Sequence, residues 1–102
     1  MTTKITVIYD NPKNPDAFEA GYDDAVALAT AIPGVQRIES SKVWPKEDGS
    51  PTPAYRLLDL YFNGYDDASA AVTTDAAGAF LADAFERATG GVRILFADLE
   101  GA

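Results

Sequence analysis

YRLLDLYFNGYDDA, Tyr55–Ala68, changes from strand-like to helix-like patterning within a few residues, and that change decides the fold. Tyr55–Phe62 is an apolar run too continuous for a sheet with one wet face. Asn63-Gly64 punctuates it, and Gly64 turns the chain off the strand. Asp66 and Asp67 then supply a cap and a negative first turn to a helical region that runs to Ala88. That region breaks near Thr73-Thr74, where a threonine caps a second segment with the apolar stripe Ala77, Phe80, Leu81, Ala84, Phe85 and Ala88. Gly90-Gly91 ends it, and VRILFADL (Val92–Leu99) is the last strand.

The upstream half reads the same way. KITVIY (Lys4–Tyr9) is a β-branched strand, and DNPKNP is a turn. Asn14 stands where a helix N-cap belongs, with Pro15 at the first helical position and Asp16 in the first turn. Phe18, Tyr22, Ala25, Val26, Ala29 and Ile32 follow at helical spacing, which predicts one helix until Pro33-Gly34 stops it. VQRIESSKVW (Val35–Trp44) predicts the second strand, and PKEDGSPTP a long polar loop. The order βαββαβ is that of a ferredoxin-like α+β fold: one domain over residues 1–102, a four-stranded antiparallel sheet, both helices on one face. The other face also carries apolar residues, and a second copy of the chain is the economical cover for it.

The pentapeptide GYDDA occurs twice, as Gly21–Ala25 and Gly64–Ala68. The copies sit at different distances from their preceding strands, so inherited duplication explains them poorly. The second starts a helix. The first falls inside one, where a glycine costs about 1 kcal/mol relative to alanine. There Gly21 and Ala25 flank the stripe made by Phe18 and Tyr22, predicting a notch of small side chains toward the sheet, with Asp23 and Asp24 in water.

Composition removes several chemistries. With no cysteine and no histidine, the chain lacks a thiol nucleophile, the commonest proton shuttle and the usual zinc and haem ligands. Tyrosine remains as a formal haem ligand, but the residues call for no cofactor and no metal. Sixteen acids against eight bases give a net charge of -8, which repels nucleic acid and anionic membranes. No stretch is long and apolar enough to span a membrane, and the expected location is cytoplasmic.

FEAGYDDAVALATAIPG (Phe18–Gly34) and VWPKEDGSPTPAYRLLDLYF (Val43–Phe62) resemble the EthD family of the dimeric α+β barrel superfamily. That family's first helix reads Phe-x-x-His-Tyr, then a further histidine, an apolar segment and Leu-Pro-Gly, and its third strand ends Glu-Leu-Tyr-Phe. The resemblance extends to about Leu99. It implies a homodimer whose sheets face each other and an association with oxidative degradation of ether substrates by a cytochrome P450 system. Gly21 stands where the family has its first histidine, and Ala25 takes the place of the second. An activity resting on those imidazoles is therefore lost here or done otherwise.

Asp59, in the position of the family's strand glutamate, interrupts LLDLYF and shares a face with Tyr55, Leu57 and Tyr61. It reads either as a pocket carboxylate, base or acceptor, or as an interface carboxylate paired with Arg37, Lys42 or Arg93. Tyr22 is the other catalytic candidate. Tyr9, Phe18, Gly21, Tyr22, Ala25, Trp44 and Tyr61 form the expected ligand pocket for a small apolar or aromatic molecule, although aromatics at these spacings also serve as core. KEDGS lacks the alternating ligands of a calcium loop and reads as a solvated turn. Asp83 and Arg87 form a surface i,i+4 pair.

Three functions fit. The first is a small apolar-molecule binding or accessory protein using the notch. The second is a cofactor-independent oxidoreductase, monooxygenase or cyclase using Tyr22 and Asp59. The third is a non-catalytic structural dimer or redesigned scaffold with a filled cavity. Binding is favoured, because the chain lacks the groups that best transfer protons near neutral pH.

Overall fold

A computed structural model of the chain describes residues 1–100. The elements follow the order β1 (Thr3–Tyr9), α1 (Pro15–Glu19), α2 (Tyr22–Thr30), β2 (Arg37–Lys42), β3 (Arg56–Phe62), α3 (Tyr65–Ala71), α4 (Asp75–Arg87) and β4 (Val92–Asp98). The four strands form one antiparallel sheet in the order β2-β3-β1-β4, a ferredoxin-like α+β fold. The sheet of the single chain is open, with β2 and β4 as its edges. No helix among the described residues is long and apolar enough to cross a membrane.

Strand alternation sorts the residues of the sheet onto two faces. Ile5, Val7 and Tyr9 of β1 pair with Leu60, Leu58 and Arg56 of β3, and the apolar members of this set are buried under the helices. Phe18, Tyr22 and Ala25 from the first helical region and Ala77, Phe80 and Ala84 from α4 complete that core. Each fully buried leucine or phenylalanine there stabilises the fold by about 1.5–3 kcal/mol. The helix-free face carries Lys4, Thr6 and Ile8, with Leu57, Asp59 and Tyr61 directly beside them on β3. Leu95 of β4 and Glu39 of β2 lie on the same face.

The second helical region breaks as its sequence predicts: the Thr74 hydroxyl accepts a hydrogen bond from the Ala77 amide and starts α4. The first region departs from expectation. Spacing predicts one helix from Pro15 to Ile32, but α1 stops after Glu19 and Gly21 is the N-cap of α2. The Asn14 cap on the Ala17 amide and Pro15 at the helix start are as the sequence indicates. The two GYDDA copies therefore share a role. In each, glycine is the N-cap, tyrosine opens the helix, the two aspartates lie in the first turn, and the alanine is fully buried. Gly64, not an aspartate, is the second cap.

Between α4 and β4 the chain passes close beneath the loop after β1. A Cβ at Gly90 would overlap the Asn11 carbonyl oxygen, so only glycine fits, and Gly91 adopts φ 108°. The Gly91 carbonyl accepts from the Asp10 amide at 3.0 Å, which fixes the C-terminal end of β1 against the start of β4.

Candidate functional site

Tyr9, at the end of β1, and Phe18 and Tyr22, on either side of the helix break, converge on the helix-covered face. Tyr9 meets Phe18 edge-on at 5.1 Å between centroids, and Phe18 stacks on Tyr22 at 5.5 Å. Tyr55 closes the other edge of Phe18 at 5.1 Å. These rings fill one another's space, and Ala25 beside them is buried in the core. Three of the expected pocket aromatics thus come together as packing around Phe18.

The space at Gly21 belongs to Arg87. Its Nη1 donates to the Phe18 carbonyl at 2.7 Å and its Nη2 to the Gly21 carbonyl at 3.0 Å. The same guanidinium holds the Asp83 carboxylate through Nε at 3.2 Å and Nη2 at 3.1 Å. A Cβ at Gly21 would stand 3.4 Å from Nη2. The notch is therefore filled, and the Asp83–Arg87 pair is a largely buried clamp between α4 and the α1–α2 joint, where i,i+4 spacing alone indicates a surface pair. Spacing along α4 carries no information about Phe18 or Gly21, so the clamp is not legible in the sequence.

Burial raises the pKa of both Tyr9 and Tyr22 above the ordinary phenol value; the negative charge of Asp83 adds to the rise at Tyr9, and the hydrogen bond with Ser40 opposes it at Tyr22. The Tyr9 hydroxyl is buried without a hydrogen-bond partner. The Tyr22 hydroxyl lies 3.0 Å from Ser40 Oγ. Arg56 lies 4.4 Å above the Tyr22 ring and grips Glu19 at 2.9 and 2.6 Å, and these hydrogen bonds hold the Glu19 carboxyl below the usual glutamate pKa. This polar chain seals the β2 side of the aromatic corner.

Asp59 and Tyr61 lie elsewhere. Both are on the helix-free face, so the sheet separates Asp59 from Tyr22 and no shared pocket contains the two catalytic candidates. Asp59 accepts from the Thr6 hydroxyl at 2.5 Å and pairs with Lys4 at 3.8 Å, in place of the expected Arg37, Lys42 or Arg93. Tyr61 donates to Glu39 at 2.6 Å under the Arg37 guanidinium, and that bond raises its pKa. Trp44 is 87% exposed in the loop after β2 and joins none of the other pocket residues. In the KEDGS loop, the Asp48 carboxylate accepts from the amide and hydroxyl of Ser50 in a local turn.

Open space on the helix-covered face occurs further along β1, beneath α4. A cleft of about 230 Å³ has Ile5, Val7 and Leu60 as its floor, Phe80, Leu81 and Phe85 of α4 as one wall, and Ile94 and Phe96 of β4 as the other. Ile32, Val72 and Ala77 complete a lining made only of apolar side chains. Phe85, at the rim, is 62% exposed. Leu81 and Phe85 are legible in the sequence as helix stripe, but periodicity alone does not say that the stripe is left partly uncovered.

No protein-family model matches the chain. An ethyl tert-butyl ether D (EthD) family protein of Bacillus halodurans has a similar structure, with a TM-score of 0.88, 21% identity and coverage of 97% of this chain and 99% of its own. A dimeric ferredoxin-like protein of unknown function from Thermobifida fusca superposes with a TM-score of 0.70 at 17% identity, over 97% of this chain and 92% of its own. SnoaB, a cofactor-independent oxygenase of Streptomyces nogalater, superposes with a TM-score of 0.69 at 11% identity, over 99% and 94%. At these identities the likeness is one of fold. An uncharacterized 11.0 kDa protein from the thcB-thcC intergenic region of Rhodococcus erythropolis is 36% identical over 98 residues, 95% of this chain and 94% of that protein. The chain belongs to the same family as that Rhodococcus protein.

Proposed function

We propose that the chain is an EthD-like, cytoplasmic homodimer that binds a small apolar molecule and serves an oxidative degradation system as a binding or accessory component. The open apolar cleft beneath α4 carries this reading: it is the space on the helix-covered face able to accept a hydrophobic guest, and no polar side chain lines it. The site lies in that cleft, because Arg87 already occupies the notch at Gly21. The EthD-like assignment draws on the Phe18, Tyr22, Pro33-Gly34 and third-strand pattern together with the superposition on the Bacillus protein. The dimer draws on the helix-free face, where Ile8, Leu57 and Leu95 are apolar, and on the dimeric Thermobifida protein of the same fold.

Binding is preferred to catalysis for a chemical reason. Tyr9 and Tyr22 both have raised pKa values and stay protonated near neutrality, so neither phenol is a ready base. Asp59 is on the opposite face of the sheet from Tyr22. Native mass spectrometry of freshly purified protein, followed by denaturing analysis of released material, tests the reading. A dimer carrying a stoichiometric apolar adduct is the expected result. A monomer sinks the dimer, and a dimer that takes up no apolar probe at saturating concentration sinks the binding function and favours a structural scaffold.

A further inference from the structure

Resting on the binding reading above, we propose that the guest of the α4 cleft is an uncharged hydrocarbon the size of a fused two-ring arene, held without any hydrogen bond. The lining decides the chemical class. Phe80, Leu81, Phe85, Ile94 and Phe96 present carbon alone, so a hydroxyl or amide carried inside exchanges its water for nothing. A carboxylate is worse, because its ionised form loses its hydration in a site with no cation and enters a protein of net charge -8.

The volume decides the size. An apolar cavity of about 150 Å³ takes up benzene, with its six carbons. Scaling to the cleft's 230 Å³ gives about nine non-hydrogen atoms, close to the ten of naphthalene. A space this small suits one molecule, whereas a stable protein partner needs about 800 Å² of surface on each side. The aromatic walls add selectivity. Phe80, Phe85 and Phe96 can meet a flat guest edge-on or offset, which favours an arene over a saturated hydrocarbon of equal volume.

The test titrates the full chain, with Ile, Leu and Val methyls labelled for NMR, against naphthalene, 2-naphthol and 2-naphthoate. Naphthalene is expected to shift the methyls of Ile5, Leu81 and Ile94, 2-naphthol to bind about tenfold more weakly, and 2-naphthoate at least about a hundredfold more weakly. Leu81→Trp, which fills the cleft, is expected to abolish naphthalene binding while melting cooperatively. If that variant does not fold, Phe85→Trp at the exposed rim replaces it with the same expectation. Binding of 2-naphthol or 2-naphthoate as tight as that of naphthalene, with shifts at the same methyls, overturns the hydrocarbon class and leaves the site standing. Naphthalene shifts confined to other methyls overturn the location. No response to any of the three probes overturns both the class and the binding function.

Discussion

The aromatic corner around Tyr9 and the cleft beneath α4 share one face of one sheet, yet one is shut and the other open. At the corner, Phe18 and Tyr22 come from separate short helices, and the break between them lets both rings reach Tyr9. Arg87 then fills what remains. In the cleft, a single uninterrupted helix lies over the strands, and at Ala77 it presents only a methyl group to the space. The backbone layers are the same in both places. Side-chain size and one guanidinium decide which end has room.

Breaking the corner should cost the most. Phe18→Ala removes the ring that touches Tyr9, Tyr22 and Tyr55, and a loss of about 3–5 kcal/mol is expected in urea unfolding. A loss under about 1 kcal/mol would mean that the corner packs loosely and differs little from the cleft. Next, Arg87→Met leaves Asp83 and the Phe18 and Gly21 carbonyls without their donor, for an expected loss of about 2 kcal/mol by the same measurement. Tyr9→Phe works in the other direction. It removes a buried hydroxyl that has no partner, so stability should rise by about 1 kcal/mol, and destabilisation would reveal a partner for that hydroxyl.

The smallest effect concerns the seal on the β2 side. Arg56 hydrogen bonds lower the folded-state pKa of Glu19, so its contribution is fully present above the ordinary glutamate value of about 4.3 and is lost as pH falls through the depressed folded value. Glu19 is partly exposed, so solvent screening keeps the gain to a few tenths of a kcal/mol. The stability difference between Glu19→Gln and the parent chain should shrink as pH drops from 6 to about 3. A difference constant across that range would show that Arg56 is not stabilised by the Glu19 charge.

Much of the fold is legible in the sequence because strands and caps declare themselves locally. Thr74 caps α4 as its position indicates, and the KITVIY and YRLLDLYF runs become the central strands. The break at Gly21 is half legible. Glycine in an apparent helix signals a cost, but spacing keeps Phe18 and Tyr22 on one stripe whether or not the helix is interrupted. The second GYDDA copy holds the clue, since it also begins a helix. Identical pentapeptides still differ in burial: Tyr22 is core, whereas Tyr65 is 58% exposed. That difference comes from what each helix packs against, which local sequence does not encode. The separation of Asp59 from Tyr22 was derivable from strand parity only once the helix-bearing face was known.

The pairing of β1 with β4 aligns Thr3 with Asp98, and the Thr3 hydroxyl donates to that carboxylate at 2.6 Å. During synthesis, then, an interior strand waits for one of its two neighbours until β4, 95 residues further along, has emerged. Pairing so distant in sequence demands a large loop closure and slows folding relative to a helical bundle of this size. A nascent chain that pauses before Val92 holds a completed β1–β3 pair with Ile5 and Val7 next to an unpaired edge, ready to capture another strand. Capture of that edge on the ribosome should therefore be a hazard that the finished sheet, with β1 paired on both sides, no longer presents.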